Sequence, residues 1–222
     1  MTPPRSGSKA ASFDGVHVLV DDDPRWKWSP LEQTRFACSG GASVVQLRAK
    51  FLHDQEIVEL GYRIREETRK AGIRFVMNDR FDLALACEAD AVHLGQTDLA
   101  PNAIPETIRR RLQVGRSTHT LEQAHIAIKE EADYIALGPV FGTQSKESEY
   151  DQRGLSTLRE IVAAVAPRPV VAIGGITRDN LASVLETGAR GAAVISAVTQ
   201  ANDPTDAVKE LARSFSSFSG NA

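Results

Sequence analysis

The sequence is poor in cysteine, and it lacks both a long apolar run and an excess of charge of one sign. Two cysteines in 222 residues, Cys38 and Cys87, are too few for a disulfide framework and do not have metal-ligand spacing. With a formal net charge of -3, the chain has no excess of basic residues for binding a nucleic-acid backbone. No apolar run approaches the roughly 20 residues of a membrane-spanning helix, and the first dozen residues lack the apolar centre of a secretory signal. We therefore expect a cytoplasmic protein that binds neither nucleic acid nor membrane.

What the chain contains is an ordinary globular composition, 42% apolar and 25% charged, at a length that suits one large α/β domain. Eight short runs of apolar and β-branched residues recur, each followed by a segment with helical spacing of apolar residues. Eight such units are the count of a (β/α)8 TIM barrel, and a doubly wound open sheet is the competing architecture. We expect a single barrel domain over residues 13–216, with tails at 1–12 and 217–222. The predicted strands cover residues 16–20, 43–48, 73–78, 91–94, 113–117, 134–138, 170–175 and 191–196.

Polar side chains collect where the predicted strands end, which is the catalytic end of a barrel. Gln46, Arg48 and Lys50 alternate along the second run and so share one face. Their two positive charges favour an anionic ligand, and a solvated strand end is the alternative. Asp79 and Asp98 follow the third and fourth runs. These two carboxylates either bind Mg²⁺ together with substrate phosphate oxygens or cap local turns.

Two loops have features of phosphate binding. The stretch GPVFGTQSK, residues 138–146, combines turn glycines with the hydroxyls of Thr143 and Ser145 and the ammonium of Lys146. An ordinary turn is the alternative there. A glycine pair that ends at Gly175 follows the seventh run, where barrels offer backbone N–H groups to phosphate.

The histidines and serines indicate what kind of chemistry to exclude. His93 and His119 fall at strand ends and are candidates for substrate contact, but no histidine pair or Cys/His cluster has zinc-site spacing. Ser117 and Ser196 lack the context of an activated nucleophile, so covalent serine catalysis is not expected.

Several segments together resemble the thiamine phosphate synthases. They are VVQLRAK, MNDRFDLALACEADAVHLGQTDL, GRSTHT, DYIALGPVFGTQSK, VVAIGGI and GAAVIS, in the family's order and spacing. The resemblance covers about residues 16–212. The resemblance implies a (β/α)8 barrel that joins hydroxymethylpyrimidine diphosphate to a thiazole phosphate, releasing pyrophosphate. Pyrophosphate departure would leave a carbocation that the thiazole nitrogen attacks. Such a site needs charge stabilisation rather than a nucleophile or a strong base.

The resemblance also implies a role for each matching residue. Asp79 and Asp98 would hold Mg²⁺ on the diphosphate. A catalytic role is implied for three residues that also bind substrate: Lys146, Arg48 and Ser117. The pyrimidine diphosphate would be bound by Gln46, Arg48, Lys50, Asn78, Ser117 and Lys146, and the thiazole phosphate by Thr143, Ser145, Gly175, Ile195 and Ser196.

Three features depart from the family pattern. Ala49 stands where a glutamate is usual, and Ser145 replaces a threonine but keeps the hydroxyl. The first loop, residues 21–30, contains Trp26 and Trp28, which we expect to pack within the loop rather than to cap the site.

Two other functions remain open for a chain of this kind. One is a thiazole tautomerase on the same barrel, with His119 as the proton-transfer residue. The other is a non-catalytic regulator that binds thiamine precursors. The intact set Asp79, Asp98 and Lys146 favours the synthase. Its partners would be two small-molecule substrates, and a homo-oligomer is compatible with the sequence.

Overall fold

The structure, a computed structural model, describes residues 13–142 and 151–219. In these ranges at least one helix follows every strand, and two helices follow the last strand. A 3-10 turn at Pro101–Ala103 precedes the fourth helix. The strands are β1 (Gly15–Asp21), β2 (Val44–Arg48), β3 (Arg74–Asn78), β4 (Ala91–Leu94), β5 (Gln113–Thr118), β6 (Tyr134–Leu137), β7 (Val170–Ile173) and β8 (Gly191–Val194). The helices are α1 (Pro30–Gly40), α2 (Asp54–Ala71), α3 (Phe81–Ala86), α4 (Glu106–Arg109), α5 (Leu121–Lys129), α6 (Gly154–Val165), α7 (Arg178–Leu185), α8 (Ser196–Thr199) and α9 (Pro204–Ser219).

The eight strands form one closed, parallel barrel in sequence order. β1 pairs with β2 on one side and with β8 on the other, which closes the sheet. The predicted (β/α)8 barrel is therefore confirmed, and the doubly wound open sheet is excluded. The last helix continues to Ser219, three residues beyond the predicted end of the domain at residue 216.

Two apolar clusters, one inside the barrel and one between barrel and helices, follow from the alternation of side chains along each strand. Val18 and Val20 of β1 belong to the outer cluster, whereas Leu19 belongs to the inner one. The inner cluster also contains Val44 of β2 and Val76 of β3. Because side chains alternate along a strand, the residues two positions later, nearer the barrel mouth, also point inward. The inner apolar side chains are Phe13, Leu19, Trp26, Val44, Val76, Ala91, Tyr134, Ala136, Val171, Ala193 and Ile195.

Helix ends carry the capping residues that the sequence indicates. The Thr120 hydroxyl accepts a hydrogen bond from the Gln123 N–H at 3.2 Å and starts α5. Thr177 forms a capping box at the start of α7. Gly72 ends α2 in the left-handed region, at φ 69°. No helix in the two described ranges is both long and apolar enough to cross a membrane.

Candidate active site

An amide pair lies at the ends of β2 and β3. The Gln46 Nε2 donates to the Asn78 Oδ1 at 2.9 Å. Both side chains continue the inward positions of their strands, after Val44 and Val76, and Gln46 is buried. The hydrogen bond fixes how the two amides present their remaining donors and acceptors to the mouth of the barrel.

A buried carboxylate holds the guanidinium of Arg48. Arg48 Nη1 lies 2.7 Å from Asp21 Oδ2, and the Asp21 side chain is only 1% exposed. Asp21 ends β1 on the inward side, two residues after Leu19. Because the ion pair joins adjacent strands, it orients Arg48 while leaving further guanidinium donors for an anion. Sequence reasoning missed Asp21, although its position two residues after an inward apolar residue was the available signal.

The neighbouring carboxylate, Asp22, shapes the loop after β2. Its Oδ1 accepts the Lys50 backbone N–H at 2.8 Å, and its Oδ2 accepts those of Phe51 and Leu52, each at 2.8 Å. Three backbone donors on one carboxylate fix this loop against the loop after β1. This contact was also missed, because nothing local in the sequence links residue 22 to residues 50–52.

Lys50, Asp79 and Asp98 form a charged group across the ends of β2, β3 and β4. The Lys50 ammonium makes an ion pair with Asp79. The Asp98 Oδ2 accepts the Gly95 N–H at 2.7 Å. Burial raises the pKa of Asp98 above its usual range, and the adjacent Asp79 carboxylate raises it further. The two carboxylates predicted as metal ligands therefore lie side by side.

The backbone at Asp79 sets this arrangement. Asp79 has a left-handed backbone conformation, at φ 63°, which is uncommon for a residue with a side chain. Its N–H donates to the His93 carbonyl at 2.7 Å, so β4 holds it in place. Asp79 does not cap α3, whose N-cap is Arg80 without a side-chain cap bond. Asp98, by contrast, does stabilise its own turn through the bond to Gly95.

The carboxylate pair fits a divalent cation. Two adjacent carboxylates repel each other unless a cation or a proton intervenes, and Mg²⁺ commonly takes one or two carboxylates together with substrate phosphate oxygens and water. Within the described residues no group of three or more His, Cys, Asp or Glu side chains could hold a metal ion. Two carboxylates are fewer ligands than Mg²⁺ takes, so a cation held by Asp79 and Asp98 would need further oxygen ligands.

Ser117 and His93 lie deeper, on β5 and β4. The His93 Nε2 is 2.8 Å from the Ser117 Oγ, and its Nδ1 is 3.0 Å from the Tyr134 hydroxyl. His93 is buried, so it lies beneath Ser117 rather than at the rim. The ring of His119 makes a hydrogen bond with the Gly138 carbonyl oxygen.

The loops after β6 and β7 lie against each other. The Val140 N–H donates to the Ile173 carbonyl at 2.8 Å, and the Phe141 N–H donates to the Gly174 carbonyl at 3.0 Å. Gly175 has φ 65°, and a Cβ there would come within 2.5 Å of the Gly142 carbonyl oxygen. A glycine is therefore required where the two loops meet. Thr143, Ser145 and Lys146 lie outside the described residues.

The remaining predicted residues lie at the end of β8. Ile195 is buried with the inner cluster and is the N-cap of the short helix α8, which begins at Ser196. The structure thus places one group of predicted residues at the ends of β2 to β5. It places a second group, with Gly175, at the ends of β7 and β8.

Of the residues that depart from the family pattern, Trp26, Trp28 and Ala49 are described by the structure, and Ser145 lies outside the described residues. Trp26 is buried and belongs to the inner cluster of the barrel, so its packing is not confined to its own loop. Trp28 contacts Phe36 edge to face, with ring centroids 5.2 Å apart. Ala49 packs against the outer cluster.

Comparisons with known proteins agree with this geometry. The family model for thiamine monophosphate synthase matches residues 16–198. A thiamine-phosphate synthase of Methanoregula boonei is 48% identical over 196 residues, covering 88% of this chain and 90% of that protein. A thiamine-phosphate synthase of Natronomonas pharaonis is 42% identical over 200 residues, covering 89% and 93%. The solved structure of thiamine phosphate pyrophosphorylase from Pyrococcus furiosus has a TM-score of 0.84 and 38% identity, covering 94% of this chain and 98% of that one. The chain therefore belongs to the thiamine monophosphate synthase family.

Proposed function

We propose that the chain is a thiamine-phosphate synthase that condenses hydroxymethylpyrimidine diphosphate with a thiazole phosphate and releases pyrophosphate. The observation that carries the proposal is the charged group at the ends of β2 to β4. There Lys50 pairs with Asp79, Asp98 lies beside Asp79, and Arg48 is oriented from the same strand end as Lys50. Cations next to a carboxylate pair are suited to a diphosphate that carries a divalent metal.

The pyrimidine diphosphate would lie across β2, β3 and β5. The Gln46 amide would hydrogen-bond the pyrimidine ring, and the Asn78 amide would bind the diphosphate. The 2.9 Å hydrogen bond between the two amides supports this proposal, because it holds them side by side. Arg48 and Lys50 would bind the diphosphate oxygens. Ser117, at the end of β5, would donate a hydrogen bond from its hydroxyl.

Mg²⁺ would be held by Asp79 and Asp98. When bound, the cation supplies positive charge that stabilises the pyrophosphate leaving group. The pKa of Asp98 is raised by burial and by repulsion from the Asp79 carboxylate, and the positive charge of a bound cation would offset both.

The thiazole phosphate would bind at the ends of β7 and β8. Backbone N–H groups at Gly175, Ile195 and Ser196 are the proposed donors. Thr143, Ser145 and Lys146 are assigned by resemblance and remain predictions, with the two hydroxyls on the thiazole phosphate and Lys146 on the diphosphate.

In the reaction, the bond between the exocyclic carbon and the diphosphate oxygen breaks, and both electrons leave with pyrophosphate. The thiazole nitrogen then donates its lone pair to that carbon. Arg48, Ser117 and Lys146 would stabilise the negative charge that builds on the leaving group. Loss of pyrophosphate leaves a carbocation on the pyrimidine. The inner apolar side chains below the mouth, Ile195 among them, would limit the access of water to this carbocation.

The test is product formation by the purified chain. With both substrates and Mg²⁺, thiamine phosphate and pyrophosphate should form in equal amounts, and chelation should stop turnover until Mg²⁺ is restored. Asp98→Asn should lower turnover by about 10²-fold or more, as expected when a charge stabiliser is removed. Asp206→Asn, at an exposed position on α9, is the matched control and should behave as the parent.

Two outcomes would replace the proposal. Thiazole tautomerisation without condensation would make the chain an isomerase. Tight binding of both precursors without chemistry would make it a regulator. A cytoplasmic location and a homo-oligomeric state remain predictions from the sequence.

A further inference from the structure

We propose that Tyr134 and His93 form a positioning relay, which fixes the Ser117 hydroxyl as a hydrogen-bond donor towards the mouth of the barrel. The inference rests on the proposed function, in which Ser117 contacts the pyrimidine diphosphate. In this proposal Tyr134 never touches substrate. It acts through His93.

The three side chains come from three consecutive strands of the barrel. His93 on β4 lies between Ser117 on β5 and Tyr134 on β6. The His93 Nε2 is 2.8 Å from the Ser117 Oγ, and its Nδ1 is 3.0 Å from the Tyr134 hydroxyl. The two rings are stacked, with centroids 5.5 Å apart and 28° between their planes. Tyr134 is 1% exposed and His93 is 8% exposed, so solvent does not compete for the hydrogen bond between them.

Burial of the Tyr134 hydroxyl decides the direction of the hydrogen bonds. Over the part of the chain that the structure covers, its hydrogen-bonding partner is the His93 Nδ1. If Nδ1 carried the imidazole proton, the tyrosine proton would be buried without an acceptor, at the cost of an unmade hydrogen bond. Tyr134 therefore donates to Nδ1, and the proton of the neutral imidazole is on Nε2.

The protonation of His93 also sets the direction of its hydrogen bond with Ser117. A proton on Nε2 makes His93 the donor and the Ser117 Oγ the acceptor. The hydroxyl proton of Ser117 must then point to another acceptor. In the proposed complex that acceptor is an oxygen of the diphosphate, whose charge grows as the bond to carbon breaks.

The packing around Tyr134 keeps the relay rigid. Its ring stacks on Phe13, with centroids 4.0 Å apart. The ring also lies against Gly115, where a Cβ would come within 2.0 Å of the tyrosine Cζ. Burial also raises the pKa of Tyr134, so its hydroxyl keeps the proton that it donates.

Without the Tyr134 hydroxyl, Nδ1 of His93 loses the donor that keeps it unprotonated. Nε2 can then accept the Ser117 proton instead of donating, which withdraws that proton from the substrate. The loss would affect a transition-state contact more than ground-state binding.

The first experiment is a kinetic double-mutant cycle. Tyr134→Phe keeps the ring and its stacking, and Tyr62→Phe, at an exposed position on α2, is the matched control. We expect Tyr134→Phe to lower kcat about tenfold with KM for the thiazole phosphate nearly unchanged, a smaller loss than removing a charge-stabilising donor outright. In a Ser117→Ala background the same change should have no further effect. An equal loss in both backgrounds, or no loss in the parent, would overturn the relay.

The second experiment does not depend on turnover. Nitrogen-15 NMR of labelled histidines, with His93 assigned by its absence in His93→Gln, reports which ring nitrogen is protonated. We expect the Nε2–H tautomer in the parent and a mixture in Tyr134→Phe. An Nδ1–H tautomer in the parent would refute the relay whether or not the chain is active. Absence of synthase activity together with the Nε2–H tautomer would instead count against the proposed function alone.

Discussion

Acidification should destabilise this protein through one buried imidazole, that of His17 at the inward side of β1. The His17 Nε2 donates to the Phe13 carbonyl oxygen at 2.8 Å. The pKa of His17 is lowered from 6.5 to about 4, mainly by burial. The bond to the Phe13 carbonyl oxygen opposes this shift, and the nearby Arg74 guanidinium adds to it. The folded protein therefore keeps this histidine neutral at pH values where the unfolded chain protonates it.

The magnitude follows from the gap between the two pKa values. One pH unit of difference corresponds to about 1.4 kcal/mol, so the gap is worth about 3 kcal/mol of unfolding free energy. The sign is that of a base with a lowered pKa. The stabilisation is present above about pH 6.5 and is lost as the pH falls towards about 4. At about pH 4.5 the loss should already reach about 2.5 kcal/mol.

The assay is urea unfolding of the parent and of His17→Gln at about pH 7 and about pH 4.5. Glutamine keeps a donor near the position of Nε2 but does not titrate. The parent should therefore lose about 2.5 kcal/mol more than the variant on acidification. His125→Gln, at an exposed position on α5, controls for loss of a histidine and should behave as the parent. Equal losses in the parent and His17→Gln would refute the reasoning.

Two further predictions concern the charged residues at the barrel mouth. Because Asp98 has a raised pKa, its stabilising effect is present below the ordinary aspartate range and is lost as the pH rises through the raised value. Asp98→Asn should therefore increase the Tm of the metal-free protein at neutral pH while removing any stabilisation by Mg²⁺; a lower Tm would contradict this. Asp22→Ala removes the carboxylate that accepts three backbone N–H groups. A single hydrogen bond to a charged group contributes about 1.5 to 3 kcal/mol to the stability of the fold. It should increase KM for the pyrimidine diphosphate by displacing Lys50, and Asp206→Ala is its control; an unchanged KM would show that the loop keeps its place without Asp22.

Some of the site could be read directly from local sequence pattern. Gln46 and Arg48 were expected on one face because strand side chains alternate, and the inward cluster residue Val44 places both on the inside. The count of eight strand and helix units predicted the barrel. These features depend on backbone geometry over a few residues, which is why a single sequence contains them.

Contacts between strands could not be read in this way. Asp21 pairs with Arg48, and Asp22 holds residues 50–52, only because β1 and β2 are adjacent with Asp21 in register with Arg48. Tyr134 meets His93 across β5, and it fits there because Gly115 has no side chain. Such pairs join residues about 25 to 40 positions apart, and their distance is set by strand register and twist rather than by local periodicity.

The sequence by itself determined the number and order of βα units, the residues at the catalytic end and, through the resemblance, the family. Local periodicity and chemically distinctive motifs carry that information. Only the tertiary structure decided which carboxylate orients Arg48, that Asp79 and Asp98 are neighbours, and that His93 lies beneath Ser117 rather than at the rim. Closure of the barrel brings these side chains together, and their protonation and hydrogen-bond direction follow from the burial that closure creates.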